Sequence, residues 1–262
     1  MKKKQAMVQM DKLGKKMKKP LKVFIKTGDQ EALHQFRVQV KKLKAMLTLY
    51  AFEPANKAVL KDFKLVKTVF KKAGDIRNAH INLNLIKKYN LDDEAFKNQQ
   101  QKTLDDGLKS FKNKGEKYIK SIKKSRLVLQ QHLHPVCNKN IRHFYQEKLA
   151  AIDAFFTDPI FDEELHTTRK NIKLLIYNQH VATKAIPEKD RLNDAYLDDL
   201  QNDIGDWHDH NLAIETLAGT RNDEAKTITE LKYSNAALEK GILEKSSNFI
   251  VKVNAVTEIK SA

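Results

Sequence analysis

The sequence contains a single cysteine, Cys137, so no disulfide within the chain can stabilise its fold. A lone thiol usually packs like a small apolar residue, and we expect neither a nucleophile nor a metal ligand at this position. Such sparing use of cysteine is typical of a reducing compartment, and we therefore expect the protein in the cytoplasm.

Glycine and proline are also scarce, with 8 and 5 among 262 residues, whereas lysine, leucine, alanine, glutamate and glutamine are plentiful. This composition favours long helices over strands and tight turns. With 41% hydrophobic residues the chain can still bury a substantial core. The composition therefore predicts a folded, all-α protein.

Long apolar stretches are missing as well. The first twenty residues, MKKKQAMVQMDKLGKKMKKP, have cationic flanks but no apolar run between them. We therefore expect no secretory signal, no membrane-spanning helix and no membrane partner.

Charge of one sign is in excess, because the formal net charge is +16. Residues 1–131 carry 33 basic and 12 acidic residues, an excess of +21, whereas residues 132–262 have an excess of −5. Such an imbalance attracts anions and predicts an acidic partner for the first half of the chain.

Hydrophobic periodicity predicts ten amphipathic helices. They span residues 5–27, 30–52, 55–73, 75–89, 92–130, 137–156, 161–184, 188–204, 206–218 and 221–245. Gly74, Gly205 and Pro135 separate neighbouring helices, and Pro20 either kinks the first helix or marks its beginning. The tail, residues 246–262, alternates apolar and polar residues as a strand would, but no partner strand is evident. The sequence therefore leaves the secondary structure of the tail undecided.

The sequence repeats itself at an offset of about 131 residues. The triad His34, Arg37 and Lys41 recurs as His166, Arg169 and Lys173, and the dipeptide Gly-Asp at 74–75 recurs at 205–206. Two motifs at nearly the same offset predict two homologous helical repeats, residues 5–130 and 137–245, within one unit that spans the whole chain.

On a helix with 100° per residue, the polar residues of each repeat form a stripe beside an apolar stripe. The first stripe comprises His34, Arg37, Lys41 and Lys44, and the second comprises His166, Arg169, Lys173, Tyr177 and His180. Lysines of the predicted first and third helices would add to the same groove: Lys12, Lys15, Lys19, Lys22, Lys26, Lys57, Lys64 and Lys71. Arginine forks, lysine charges and histidine donors suit phosphate oxygens, although a solvated helix face without a ligand would show a similar stripe.

The Gly-Asp dipeptides have two interpretations. Asp75 and Asp206 can cap the helices predicted after them, and this structural role alone would explain both copies. Arg77 and His208, two residues further on, are at equivalent positions and would reach the same anion near a helix N-terminus.

A metal site or a catalytic site is not expected. His208 and His210 point to nearly opposite sides of a helix, so they cannot easily share one ion. The chain has no Gly-rich phosphate loop of the GxxxxGK type and no paired cysteines, and nothing in it assembles a nucleophile with a base. We therefore expect no cofactor and no enzymatic activity.

Four segments resemble the CHAD family, the α-helical domains named for conserved histidines: LHQFRVQVKKLKAMLTLY at 33–50, AGDIRNAHINL at 73–83, ELHTTRKNIKLLIY at 164–177 and IGDWHDHNLAI at 204–214. The resemblance implies two four-helix bundles related by a pseudo-two-fold axis, with a basic surface and pore that bind inorganic polyphosphate. It would place the protein at polyphosphate granules. Its implied contacts are His34, Arg37, Lys41 and Lys44 in the first repeat, and His166, Arg169 and Lys173 in the second.

The second repeat departs from the family pattern. Leu174 and Ile176 stand where such domains usually carry basic residues, and acidic Asp198, Asp199 and Asp203 precede its Gly-Asp. The resemblance therefore implies a weaker share in binding for this repeat. The chain lacks the ExExK signature of the triphosphate-tunnel enzymes fused to some relatives, which implies the stand-alone, non-catalytic form.

Two other functions remain as alternatives. RNA, DNA or another polyanion would also be attracted to a basic helical surface, although Tyr50 and Tyr177 alone make a poor platform for stacking bases. A metal-dependent phosphohydrolase is the third hypothesis, and phosphate release with a divalent metal present would distinguish it from a binding protein.

Overall fold

A computed structural model of the chain describes residues 3–89, 93–182, 185–187, 191–218 and 225–255. Helices make up nearly all of these residues, and none of them forms a strand. The predicted all-α class is therefore confirmed. None of the described helices is both long and apolar enough to cross a membrane.

The described residues form two compact units, one up to Val136 and the other from Cys137 onward. The boundary coincides with the break that Pro135 predicts between two helices. The pseudo-two-fold axis that the family resemblance implies stays a prediction.

The first unit contains four long helices and one short one: α1 Lys3–Thr27, α2 Gln30–Tyr50, α3 Val59–Asp62, α4 Lys64–Tyr89 and α5 Glu94–His132. A 3-10 turn, Pro54–Asn56, follows α2. Helix α1 packs against α2 and α5, and α4 packs against the same two helices, so the long helices form a closed ring. Phe24, Phe36 and Phe111 are buried inside it, and the rings of Phe24 and Phe111 lie edge to face at 5.3 Å.

The second unit contains α6 Asn138–Thr157, α7 Glu163–Ala182, α8 Asp194–Ala218, α9 Ala225–Ser246 and α10 Phe249–Asn254. Helix α7 packs against α6 and α8, α9 packs on α8, and α10 contacts both α6 and α8. Phe144, Ile172, Leu200 and Phe249 are buried in this core.

The tail is helical where it is described. Phe249 and Val253, one turn apart in α10, are both buried, and the carbonyl of Val253 accepts a hydrogen bond from the N–H of Asn193 at 2.8 Å. Packing therefore selects the helix over the strand that the alternating pattern left open. Residues 256–262 of the tail lie outside the described residues.

Local signals explain several helix ends. The Asp29 carboxylate caps α2 by accepting from the N–H of Glu31 at 2.9 Å, and Asp93 caps α5 in the same way. Gly28, with φ of 74°, ends α1. Pro20 lies inside α1 and does not start it.

Cys137 is exposed rather than packed, and its sulfur caps α6 by accepting from the N–H of Asn140 at 3.4 Å.

The predicted helix breaks at Gly74 and Gly205 are wrong. Helix α4 runs without interruption through Gly74, and α8 runs without interruption through Gly205. Asp75 and Asp206 therefore lie inside helices and cap neither of them. A glycine costs about 1 kcal/mol in a helix interior relative to alanine, so both positions require another explanation.

Candidate anion-binding site

Arg37 of α2 lies against the backbone of α4. Its Nη1 donates a hydrogen bond to the carbonyl oxygen of Phe70 at 3.0 Å, and its Cζ lies 4.4 Å from the centre of the Phe70 ring. Phe70 stands four residues before Gly74, so Arg37 meets α4 just where this helix lacks a side chain. A Cβ at position 74 would lie 2.7 Å from Nη1, closer than such atoms can approach.

The second unit repeats this contact. Nε of Arg169 on α7 donates to the carbonyl oxygen of Gln201 on α8 at 2.9 Å, and Gln201 stands four residues before Gly205. A Cβ at position 205 would overlap Nη2 of Arg169 and lie 2.8 Å from its Cζ. Each glycine therefore leaves the space that the arginine of its own repeat occupies. The His-Arg-Lys motif and the Gly-Asp motif thus supply the two sides of one contact.

This contact corrects the capping interpretation of the Gly-Asp dipeptides. Burial lowers the pKa of both arginines, and nearby carboxylates oppose this shift: Asp75 for Arg37, and Asp209 and Asp206 for Arg169. The aspartates thus lie near the guanidinium groups and favour their charged form. Phe70 and Gln201 were missed as arginine partners from the sequence, although their equal spacing from the two glycines was a usable signal.

In the first unit, other cations gather around Arg37. Burial lowers the pKa of His34, and the charges of Arg77, Lys41 and Arg37 lower it further, whereas Glu31 opposes them. The charge of Arg77 also lowers the pKa of Arg37. The structure therefore brings together His34, Arg37, Lys41 and Arg77. We call these four residues, with Lys44, which lines the same pocket as Lys41, the first cluster.

A pocket of about 270 Å³ adjoins the first cluster. Its lysines are Lys41 and Lys44 of α2 with Lys67 and Lys71 of α4, and its apolar wall includes the Phe70 ring. Lys71 was predicted to reach this groove, whereas Lys67 was missed, even though it precedes Lys71 by one helical turn. The pocket therefore adds the ammonium groups of Lys67 and Lys71 on α4 to the first cluster.

In the second unit, the stacked histidines His166 and His208 stand at the positions that correspond to His34 and Arg77 of the first cluster. The rings of His166 and His208 are 4.1 Å apart and 20° from parallel. Burial and the neighbouring charge of His208 lower the pKa of His166 to about 4, so both rings disfavour protonation together. Nδ1 of His166 is buried and has no hydrogen-bond partner within the described part of the chain. A ligand oxygen could supply that partner.

Lys173 and Tyr177 complete the second cluster, which we define as His166, Arg169, Lys173, Tyr177 and His208. Nζ of Lys173 donates to the buried side-chain oxygen of Gln201 at 2.8 Å. Burial and Asp198 raise the pKa of Tyr177, and Arg169 opposes them. The side chain of His180 lies outside the described part of the structure.

Two predicted residues lie elsewhere. Lys22 is exposed on α1, and its charge lowers the pKa of Lys18 together with the charges of Lys123 and Arg126 on α5. Lys26 follows Lys22 by one turn on α1 and is also exposed. The structure therefore places Lys22 on the α1–α5 side of the first unit, away from the first cluster.

Comparison with known proteins points to one family. A family model described as the CHAD domain matches residues 9–218. The crystal structure of the CHAD domain from the plant Ricinus communis has a similar fold, with a TM-score of 0.59 at 15% sequence identity over 93% of this chain and 87% of that chain. No curated protein sequence matches the chain.

The arginine–glycine contact predicts opposite effects of two glycine substitutions. Gly205→Ala should lower the free energy of unfolding by about 1 kcal/mol, because losing the Arg169 hydrogen bond to Gln201 outweighs the gain in helix propensity. Gly241→Ala in α9 is the matched control, since the added Cβ would meet no described atom within 4 Å, and it should stabilise by up to about 1 kcal/mol. Urea unfolding measures both, and a stabilising Gly205→Ala would contradict the contact.

The stacked histidines predict acid sensitivity. The pKa of His166 in the folded protein is about 4, below its ordinary 6.5. The unfolded chain therefore takes up the proton first, so the stability due to neutral His166 is complete above about pH 6.5 and is lost as the pH falls towards 4. Urea unfolding should show this loss between pH 6.5 and 5, and His166→Gln should reduce it. An NMR titration of His208→Gln should show a higher pKa for His166, and an unchanged value would contradict the pairing.

Proposed function

The chain belongs to the CHAD domain family, and from this premise we propose that it binds inorganic polyphosphate through the first and second clusters without a catalytic step. The observation that carries the proposal is the arginine held against a helix backbone in each unit. A histidine precedes that arginine by one turn and a lysine follows it by one turn in both copies. Three different phosphate-binding groups thus share one face of α2 and one face of α7.

The arginine geometry suits a polyphosphate oxygen. A guanidinium group has five N–H donors, and the bond to Phe70 engages one of them in Arg37. Arg169 bonds Gln201 through Nε and fills the space at Gly205 with Nη2, so Nη1 is the terminal nitrogen that is not packed there and can donate to a phosphate oxygen. The contact with the helix backbone also restricts both side chains before a ligand arrives, so less conformational entropy is lost on binding.

The two clusters differ in charge, which supports unequal roles. In the first cluster, Arg77 adds a cation, Asp75 adds one carboxylate near Arg37, and the adjoining pocket adds Lys67 and Lys71. In the second cluster, Asp206 and Asp209 lie near Arg169. An anion should therefore meet a more positive potential at the first cluster.

A polyphosphate ligand and the single cysteine also support a cytoplasmic location at polyphosphate granules, which forms part of the proposal. A fluorescent fusion of the whole chain tests this location directly. A diffuse signal in cells that contain granules would argue against it.

The proposal predicts selective, salt-sensitive binding. Long-chain polyphosphate should bind more tightly than RNA, DNA, ATP or pyrophosphate at equal phosphate concentration, and its affinity should fall steeply with salt because counterions are released on binding. Competition titrations by fluorescence anisotropy, with long-chain polyphosphate as the displaced ligand, measure this order. Equal competition by duplex DNA or RNA would replace the proposal with general polyanion binding.

The same titrations are paired with an assay of phosphate release in the presence of divalent metal ions. Because the proposal ends at binding, no phosphate should be released. Release that depends on the metal would instead favour the phosphohydrolase hypothesis.

The charge difference predicts unequal losses from matched double variants. Arg37→Ala with Lys41→Ala should weaken polyphosphate binding by about tenfold or more, and by more than Arg169→Ala with Lys173→Ala, because a well-placed charge-assisted hydrogen bond contributes about 1.5–3 kcal/mol. Isothermal titration measures both affinities. Equal losses would show that polyphosphate contacts both units evenly. Thermal unfolding of each variant distinguishes lost binding from lost folding.

A further inference from the structure

Helices α1 and α5 of the first unit pack antiparallel along a shared edge. Near the start of α1, Asp11 accepts from Gln130 at 2.7 Å and pairs with Arg126 at 3.3 Å. Towards the end of α1, Ile25 lies beside Gly115. Residues near the start of α1 therefore contact the end of α5, and residues near the end of α1 contact earlier parts of α5. This antiparallel arrangement determines which flanks of the two helices face each other.

These two flanks are lined with lysine. At 100° per residue, four lysines of α1 lie within about 60° of Asp11. On α5, Lys112 and Lys123 lie within about 60° of Arg126, and Lys109 and Lys120 lie about 100–120° from it, on the adjoining solvent side. The lysines are Lys15, Lys18, Lys22 and Lys26 on α1, and Lys109, Lys112, Lys120 and Lys123 on α5. All are exposed except Lys18, which is partly buried between them. We call these eight lysines the α1–α5 strip.

The strip contains little negative charge. Asp11 is the one acidic residue of α1, and Glu116 is the one acidic residue of α5 from Gly107 onward. Asp11 pairs with Arg126, and Glu116 lies 3.9 Å from Lys120 with 92% of its side chain exposed. Burial and the charges of Lys123, Arg126, Lys22 and Lys15 lower the pKa of Lys18, as expected of a cation surrounded by cations. Such repulsion disfavours the fold, and a bound anion would relieve it.

The strip is separate from the first cluster. In the ring of helices, α1 and α5 form one edge, whereas α2 and α4, which carry the first cluster, form the other. The α5 lysines run from Lys109 to Lys123, which corresponds to about 20 Å of helix. A short anion cannot occupy both edges, but a long chain can pass from one to the other.

We propose that the α1–α5 strip is a second binding surface for long-chain polyphosphate. The polyphosphate reaches this surface after it has bound to the first cluster. This inference rests on the proposed function. Inorganic polyphosphate fits the strip better than single-stranded nucleic acid does, because Phe24, Phe111 and Tyr118, the aromatic residues of α1 and of α5 from Gly107 onward, are buried and present no stacking surface. Once one segment is bound, the rest of a long chain has a high effective concentration at the strip. Affinity should therefore increase with chain length beyond what one cluster explains.

The test combines three substitutions in the whole chain: Lys15→Gln, Lys18→Gln and Lys22→Gln. Affinity for polyphosphate of about one hundred phosphates should fall about tenfold, and the slope of log affinity against log salt should fall by about 2, as expected for three lost lysine contacts. Affinity for tripolyphosphate should not change, because the first cluster is intact. The matched control replaces three exposed lysines of the second unit, Lys139→Gln, Lys226→Gln and Lys232→Gln, and should cause a smaller loss.

Other outcomes separate this inference from the proposed function. A loss no larger than that of the control, or an equal loss for tripolyphosphate, overturns the strip as a second surface. A wild-type protein that does not bind long polyphosphate overturns the proposed function itself. A triple variant that loses RNA binding but keeps polyphosphate binding reassigns the strip to nucleic acid.

Folding of the triple variant is checked separately by thermal unfolding without ligand. Its midpoint should stay the same or rise, because repulsion between the lysines is reduced. A second triple variant, with arginine at the same three positions, keeps the charge and should keep the affinity. If the arginine variant binds as weakly as the glutamine variant, the loss does not come from charge, and the inference fails.

Discussion

The interaction on which the candidate site depends is an arginine that lies against the backbone of a neighbouring helix. A guanidinium group can approach a helix this closely only where no Cβ is present, and Gly74 and Gly205 provide that space. The helices accept the conformational cost of glycine in their interiors because the arginine hydrogen bond to a backbone carbonyl compensates for it. The same contact joins α2 to α4 and α7 to α8. It therefore both stabilises the packing of these helices and orients the guanidinium group.

The two units share this contact but surround it with different charge. Arg37 lies near Arg77 and Asp75, and beside His34, whose pKa is lowered by burial and by the charges of Arg77, Lys41 and Arg37. Arg169 has the stacked rings of His166 and His208 instead, with acidic side chains close by. Because burial lowers the pKa of both imidazoles, and His208 lowers that of His166 further, the second cluster carries less charge than its sequence pattern suggests. Similar geometry therefore does not mean similar affinity for anions.

Positive charge in the first unit is distributed over two edges rather than one. The first cluster and its adjoining pocket take the α2–α4 edge, and the α1–α5 strip takes the other. The strip is defined by its lysines alone, and it depends on their number and exposure. The unit therefore combines a structured contact, which orients a few groups, with a less structured surface, which attracts a chain over a longer distance.

The sequence by itself determined the all-α class, most helix positions, the internal repeat and the His-Arg-Lys face of each copy, because helical periodicity and composition are local properties that do not depend on packing. Only the tertiary structure decided why Gly74 and Gly205 are present, since each serves an arginine more than thirty residues away and does not end its own helix. It also decided that Lys22 joins α5 lysines, that His166 stacks on His208, and that the tail forms a helix. These outcomes depend on which helix flanks meet, and a sequence read one helix at a time does not contain that pairing.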